Sequence, residues 1–160
     1  AHVYATIGGD GIERPLSITR IDPPVMGTRV MPEQIVHEVE HMMESVALPG
    51  GGGTKAAVRD YRVAVKTGTA KKIGPDGKYI DKYVAYTAGV APASNPKFAL
   101  VVVMNDPSNG SYYGGAVSAP VFSQIMGDVL RLENVMPDGM PEGSENLIVM
   151  HHDGVLPPAL

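Results

Sequence analysis

Between Pro32 and Leu48 the apolar residues recur at helical spacing. Ile35, Val36, Val39, Met42, Met43 and Val46 fall on one face when successive residues turn by about 100°. Pro32 suits a first helical position, and Pro49 with the glycines after it stops the run, so the pattern predicts a helix over 32–48. The period then shortens. Tyr61–Thr69, Tyr83–Ala91 and Phe98–Met104 read as strands, joined by Gly74-Pro75-Asp76-Gly77 and by Pro92–Pro96. Both connections are short enough for antiparallel neighbours. Phe98–Met104 is almost continuously apolar, which predicts a central strand covered on both faces. A polar, glycine-rich loop over Asn105–Gly115 then leads to a second helix, roughly Ala116–Val135. In that helix Val121, Phe122, Ile125, Met126, Val129 and Leu130 can cover a sheet.

The two ends carry weaker patterns. Ala1–Ile7 followed by Gly8-Gly9 reads as the last turns of a helix with a glycine C-cap, with no start signal before it. A helix tail without a beginning leads us to expect a piece of a longer chain. Residues 10–31 carry Pro15, Pro23, Pro24 and Gly27 between short apolar runs, predicting brief strands and turns. Residues 136–160 show no periodicity and read as a C-terminal tail following one domain over 1–135.

Composition narrows the class. The chain has 160 residues, 44% of them hydrophobic and 19% charged, enough for one domain with its own core. A net charge of −4 with dispersed Lys and Arg leaves no footprint for nucleic acid or an anionic membrane. Without cysteine there is no disulfide and no thiolate metal site. No apolar run in the chain is long enough to span a membrane, and no signal-peptide pattern is present. No cofactor-binding motif is seen.

The candidate chemistry sits at Lys66-Thr67-Gly68-Thr69, within the first predicted strand. A cation, two hydroxyls and a backbone position free of side chain can hold a carboxylate and let a reacting carbonyl come close. Alternation puts Lys66 and Gly68 on one face and Thr67 and Thr69 on the other. At Gly68 another backbone or a ligand can approach closely, and a peptide can add along the strand. K-T-G is a signature of penicillin-binding proteins and class A β-lactamases.

The surroundings carry a wider likeness over residues 4–133. It runs through Tyr4-Ala5-Thr6-Ile7-Gly8, Arg14-Pro15, Met43-Glu44-Ser45-Val46 to Gly50-Gly51-Gly52-Gly53-Thr54, Tyr61 to Lys72, and Ala85 to Pro92. It continues through Phe98 to Pro107 and Tyr112-Tyr113-Gly114-Gly115-Ala116 to Phe122. These stretches, in this order, resemble the C-terminal half of the transpeptidase domain of class B penicillin-binding proteins. The likeness is strongest to the division-specific (septal) type of Gram-negative bacteria, penicillin-binding protein 3. The resemblance implies an α/β (α+β) fold, an antiparallel sheet with packed helices, the C-terminal part of the serine β-lactamase-like fold. It implies D,D-transpeptidation of peptidoglycan stem peptides ending in D-Ala-D-Ala, through a serine acyl-enzyme that β-lactams trap. Within that scheme Lys66 assists proton transfer and the local field. The Thr67 and Thr69 hydroxyls bind the carboxylate beside Gly68, and the Thr69 backbone N–H supplies half of an oxyanion hole. Tyr112 and Tyr113 line a side-chain pocket, or else are ordinary loop aromatics. Implied partners are stem peptides, β-lactams, the upstream half of the same domain and division proteins. The implied location is the periplasmic side of the inner membrane, with an anchor outside this chain.

The catalytic partners of K-T-G are missing from this sequence. Ser94-Asn95-Pro96-Lys97 matches S-x-x-K, but follows K-T-G and falls in a turn, where Ser and Lys do not share a helical face. Ser144-Glu145-Asn146 matches S-x-N but lies in the tail. The chain by itself is therefore expected to be inactive. His37-Glu38-Val39-Glu40-His41 matches the H-E-x-x-H zinc peptidase signature on a predicted helix. Both histidines fall opposite the apolar face with no evident third ligand, so no metal site is assigned. His151-His152-Asp153 reads as solvated tail. The glycine clusters at Gly8–Gly11 and Gly50–Gly53 do not fit a phosphate loop and read as turns. Two other readings stay open: a non-catalytic binding or assembly piece, and a zinc peptidase using His37, Glu38 and His41.

Overall fold

The computed structural model describes residues 1–108 and 110–139. A three-stranded antiparallel sheet with helices on both faces organises them. Its strands are β3 (Ala64–Ile73), β4 (Tyr79–Ala91) and β5 (Phe98–Asn105), in the order β3-β4-β5. Pairing sets Val65 opposite Gly89, Thr67 opposite Thr87 and Thr69 opposite Ala85, and across the second seam Thr87 opposite Val102. One face of the sheet therefore carries Val65, Thr67, Thr69, Thr87 and Val102, and the other carries Ala64, Lys66, Gly68, Tyr86 and Val90.

Helix α4 (Ala119–Leu132) covers the first of these faces. Phe122, Met126 and Leu130 are at most 1% exposed and cluster with Val58, Tyr61, Val63, Val65 and Val102. Removing that much apolar surface from water is the main stabilising contribution here. A short helix α3 (Gly114–Val117) precedes α4, and Ser118 between them donates to Gly114 O at 2.9 Å and meets Thr87 Oγ1 at 2.8 Å. On the opposite face lies α1 (His2–Ile7). Gly8 follows it with φ −64°, so it is not a left-handed cap. Its lack of a side chain serves packing, because a Cβ there would stand 2.9 Å from Pro96 Cβ and 3.1 Å from Val90 Cγ1.

Between α1 and the sheet strands, β1 (Ile12–Glu13) pairs with β2 (Thr28–Arg29), α2 spans Glu33–Glu44, and a single 3-10 turn covers Thr54–Ala56. After α4, Val135 O accepts from the Tyr61 hydroxyl, and the Asp138 carboxylate accepts from the Arg62 and Ser94 amides at 2.7 and 3.0 Å. Gly139 N–H donates to Asp60 O. The opening of the segment read as tail thus lies against the domain. Residues 140–160, with Ser144-Glu145-Asn146 and His151-His152-Asp153, fall outside the described residues.

Three expectations need correction. The first strand starts at Ala64, not Tyr61, and runs on to Ile73, because Lys71 and Ile73 find partners in Tyr83 and Tyr79; Tyr61 instead closes a turn with Val58. Phe98–Asn105 is not the central strand. β4 holds the middle, where small residues (Ala85, Ala88, Gly89, Ala91) let helices approach, and β5 lies at the edge of the described sheet. Finally, the buried side of α2 is rotated from the predicted one. Val36, Glu40 and the following Ala47 are buried, while Ile35 and Met42 are 49% and 62% exposed. A one-residue turn of the helix toward β3 trades two apolar side chains for one carboxylate.

That carboxylate has a consequence for pH. Burial is the main cause that lifts the Glu40 pKa above its ordinary 4.5; His37 opposes it, and Asp10 and Glu44 reinforce it. With the folded value raised, the protonated form favours folding, fully below about 4.5, and the contribution is lost as pH rises through the folded value. Glu40→Gln should remove this loss. In urea unfolding its stability advantage over the parent should widen from acid to neutral pH; an advantage independent of pH would contradict this.

Candidate active site

The K-T-G strand reaches the surface where β3 forms the sheet edge. Lys66 Nζ donates to Thr67 O at 2.6 Å, so this carbonyl is turned to the open edge rather than to β4. Main-chain groups of residues two apart point to the same side of a strand, which brings the Thr69 N–H to that edge as well. Thr69 Oγ1 accepts the Gly114 N–H at 3.0 Å. A hydroxyl that accepts one hydrogen bond keeps its own proton to donate, and among the described residues no acceptor takes it. Among the described residues no hydrogen bond engages the Thr67 hydroxyl, whose methyl abuts Gly53.

Glycines permit this construction. A Cβ on Gly68 would fall inside the Tyr86 ring, which lies across the strand on the Lys66 face. On the other face, a Cβ on Gly114 would stand 2.5 Å from Gly68 O and 2.6 Å from Tyr86 O. Chain therefore packs directly on chain where α3 meets the β3–β4 seam.

The resulting cleft has a volume of about 600 Å³ and is lined by Gly52, Thr54, Lys55, Lys66, Thr67, Gly68, Thr69, Tyr113, Gly114, Gly115 and Ala116. Among the described residues two lysines and three threonines line it, and no carboxylate does. Such a lining favours an anion, held by hydroxyl and ammonium donors. A larger groove of about 720 Å³, between Pro92–Phe98 and Glu133–Asp138, contains none of the K-T-G residues.

Both tyrosines read from the sequence are near, in different positions. Tyr113 lines the cleft and is 59% exposed. Tyr112 stands behind it, its centroid 4.5 Å from Tyr113, and stacks on Tyr83 at 4.0 Å with an interplanar angle of 11°. The two hydroxyls meet at 3.2 Å, and that contact is the main cause holding the Tyr113 phenol above its usual range. Lys71 caps the stack, 5.7 Å from the Tyr83 centroid, while pairing with Asp81 at 3.0 Å.

Sequence reasoning missed Thr54, Lys55 and Gly52, because the glycine cluster gave only a turn signal. It also missed Tyr83, whose role appears only through a ring 29 positions away. Gly114 was quoted without a role; its N–H contact to Thr69 joins residues 45 apart. The other candidates are not brought to the cleft. Ser94 and Lys97 sit in the β4–β5 turn, and Ser94 N–H is engaged by Asp138. His37 and His41 lie exposed on α2, His37 Nε2 at 3.0 Å from Asp10 Oδ1. Among the described residues no group of three or more His, Asp or Glu side chains could hold a metal ion.

The close packing at Gly114 is directly testable. Gly114→Ala should cost about 1–3 kcal/mol of stability through overpacking. Gly52→Ala, where nothing lies within 4 Å of the added carbon, should stay within about 0.5 kcal/mol. Equal midpoints for the two variants in urea unfolding would contradict the geometry.

Known proteins resemble this chain in sequence and fold. Residues 1–127 match the family described as penicillin binding protein transpeptidase domain. The peptidoglycan D,D-transpeptidase FtsI of Escherichia coli strain K12 is 70% identical over 151 residues, 94% of this chain and 26% of the relative. The probable peptidoglycan D,D-transpeptidase PenA of Neisseria gonorrhoeae is 40% identical over 86% of this chain and 24% of the relative. This chain therefore spans about a quarter of the length of the curated relatives it matches. Among solved structures, the transpeptidase domain of Burkholderia pseudomallei penicillin-binding protein 3, in its apo form, superposes with a TM-score of 0.79 at 42% identity. That match covers 88% of this chain and 43% of the other. The chain belongs to the penicillin-binding protein transpeptidase domain family, and within it is similar to the FtsI and penicillin-binding protein 3 members.

Proposed function

We propose that this chain is the carboxylate-binding part of a peptidoglycan D,D-transpeptidase that cross-links stem peptides during septal wall synthesis. The observation that carries the reading is the Thr69 hydroxyl, which accepts from Gly114 N–H and so faces a cationic, carboxylate-free cleft with its proton available. The substrate's terminal carboxylate, or that of a β-lactam, is held by the Thr67 and Thr69 hydroxyls within the field of Lys66 and Lys55. Gly68 lets the peptide run along the open edge of β3. The Thr69 N–H then donates to the oxyanion that forms as a serine attacks the penultimate D-Ala carbonyl and D-Ala departs. Tyr113, backed by Tyr112, forms the wall against the neighbouring side chain of substrate or drug.

The nucleophilic serine, its lysine and the S-x-N serine come from sequence upstream of this chain, which alone is inert. Lys66 takes part in proton transfer next to the S-x-N serine. In the intact protein the domain stands on the periplasmic side of the inner membrane, held by an N-terminal anchor outside this chain and working with division proteins. Among the described residues no helix is long and apolar enough to cross a membrane.

In the full-length protein, Thr69→Val keeps the shape of the side chain and removes its donor. Loss of one hydrogen bond to a charged group should slow acylation by a penicillin about 10–100-fold. Stopped-flow or fluorescent-penicillin kinetics measures this, and an unchanged rate refutes the carboxylate role of Thr69.

A further inference from the structure

Four carboxylates line a second cleft of about 460 Å³, between the end of α1, α2 and the β4–β5 turn, and three of them have a basic partner. Asp10 Oδ1 lies 3.0 Å from His37 Nε2. Glu33 Oε2 lies 3.3 Å from Arg29 Nη2. Glu44 receives Arg62 through both oxygens at 2.8 Å. The fourth, Glu40, is only 7% exposed, and its buried Oε1 meets no donor among the described residues. The most buried carboxylate of the cleft is thus the one without an ion-pair or hydrogen-bond partner among the described residues.

Burying a carboxylate alone is costly, and replacing it with an apolar residue would be the simple remedy. Proton uptake softens the cost, and burial does push the Glu40 pKa up. We propose that this cleft binds an external alkylammonium or guanidinium group, seated against the Glu40 carboxylate. Three observations select that chemistry. First, each flanking carboxylate already has a basic partner within 4 Å, and among the described residues Glu40 has none. Second, a metal ion would need several ligands, and among the described residues no three are placed for one. Third, an N–H cation needs one carboxylate and a few neutral acceptors; Ser94 and Asn95 in the opposite wall bring a hydroxyl and an amide oxygen. The cleft lies apart from K-T-G and shares no residue with the cleft described above.

The test is calorimetric titration of the full-length protein with agmatine, and separately with N-acetyl-lysine methylamide as a mimic of a lysine side chain in a protein. Both should bind if a protein side chain is a competent ligand; agmatine alone should bind if the source is a free amine. Glu40→Gln, checked for folding by circular dichroism, should weaken binding about tenfold or more. Glu38→Gln, on the solvent side of the same helix, should leave it unchanged. No heat with either probe, or equal affinity in the Glu40→Gln protein, overturns the proposal and leaves Glu40 as a hydrated or protonated carboxyl.

Discussion

Main chain packs against main chain where the first residue of α3 meets the β3–β4 seam, and the candidate site depends on that contact. Gly114 lies so close to Gly68 and Tyr86 that no side chain fits between them. The closeness places an amide within 3.0 Å of the Thr69 hydroxyl and so fixes which way that hydroxyl can donate. The same approach brings Tyr113 and Gly115 to the cleft wall and hands Ser118 to the buried Thr87. A hydroxyl held in this way loses little freedom when it binds an anion, which is what preorganisation means for a binding site. Below the contact, Phe122, Met126 and Leu130 clamp α4 to the sheet and keep α3 where it is.

The described domain has two electrostatic characters. At the K-T-G edge, Lys55, Lys66 and three threonines meet no acid in the cleft, so an arriving carboxylate is attracted and finds donors. At the α2 side, acids outnumber bases and one of them is buried without a partner. The two clefts share no lining residue; β3 contributes to one and the chain before it, at Arg62, to the other.

Much of this was legible in the sequence. The Lys66–Thr69 string, the Gly74–Gly77 hairpin and most of the apolar face of α4 each depend on neighbours within one element, and local periodicity reads those well. Ile125, expected to cover the sheet, is nevertheless 41% exposed. The family likeness rested on motifs in order, and it holds. What the sequence could not convey depends on distant partners. Nothing near Phe98–Asn105 says that β4 will take the middle of the sheet, because strand order is set by pairing and not by hydrophobicity. Ile35 and Met42 look inward by period, but α2 buries Val36 and Glu40 instead. Gly8 is the C-cap that the sequence suggested, but in a right-handed conformation, and its lack of a side chain serves packing against Pro96, 88 residues on. Lys55 and Tyr83 carried no motif and enter the site region only through folding.

The central claim is that these residues hold the substrate's carboxylate while the nucleophile is supplied from elsewhere in the protein. Treating the full-length protein with a penicillin and mapping the adduct by peptide mass spectrometry tests it most directly. One serine adduct is expected, upstream of residue 1, with a yield that drops when Thr69 is replaced by valine. An adduct on Ser94, or on any other serine of this chain, would contradict it.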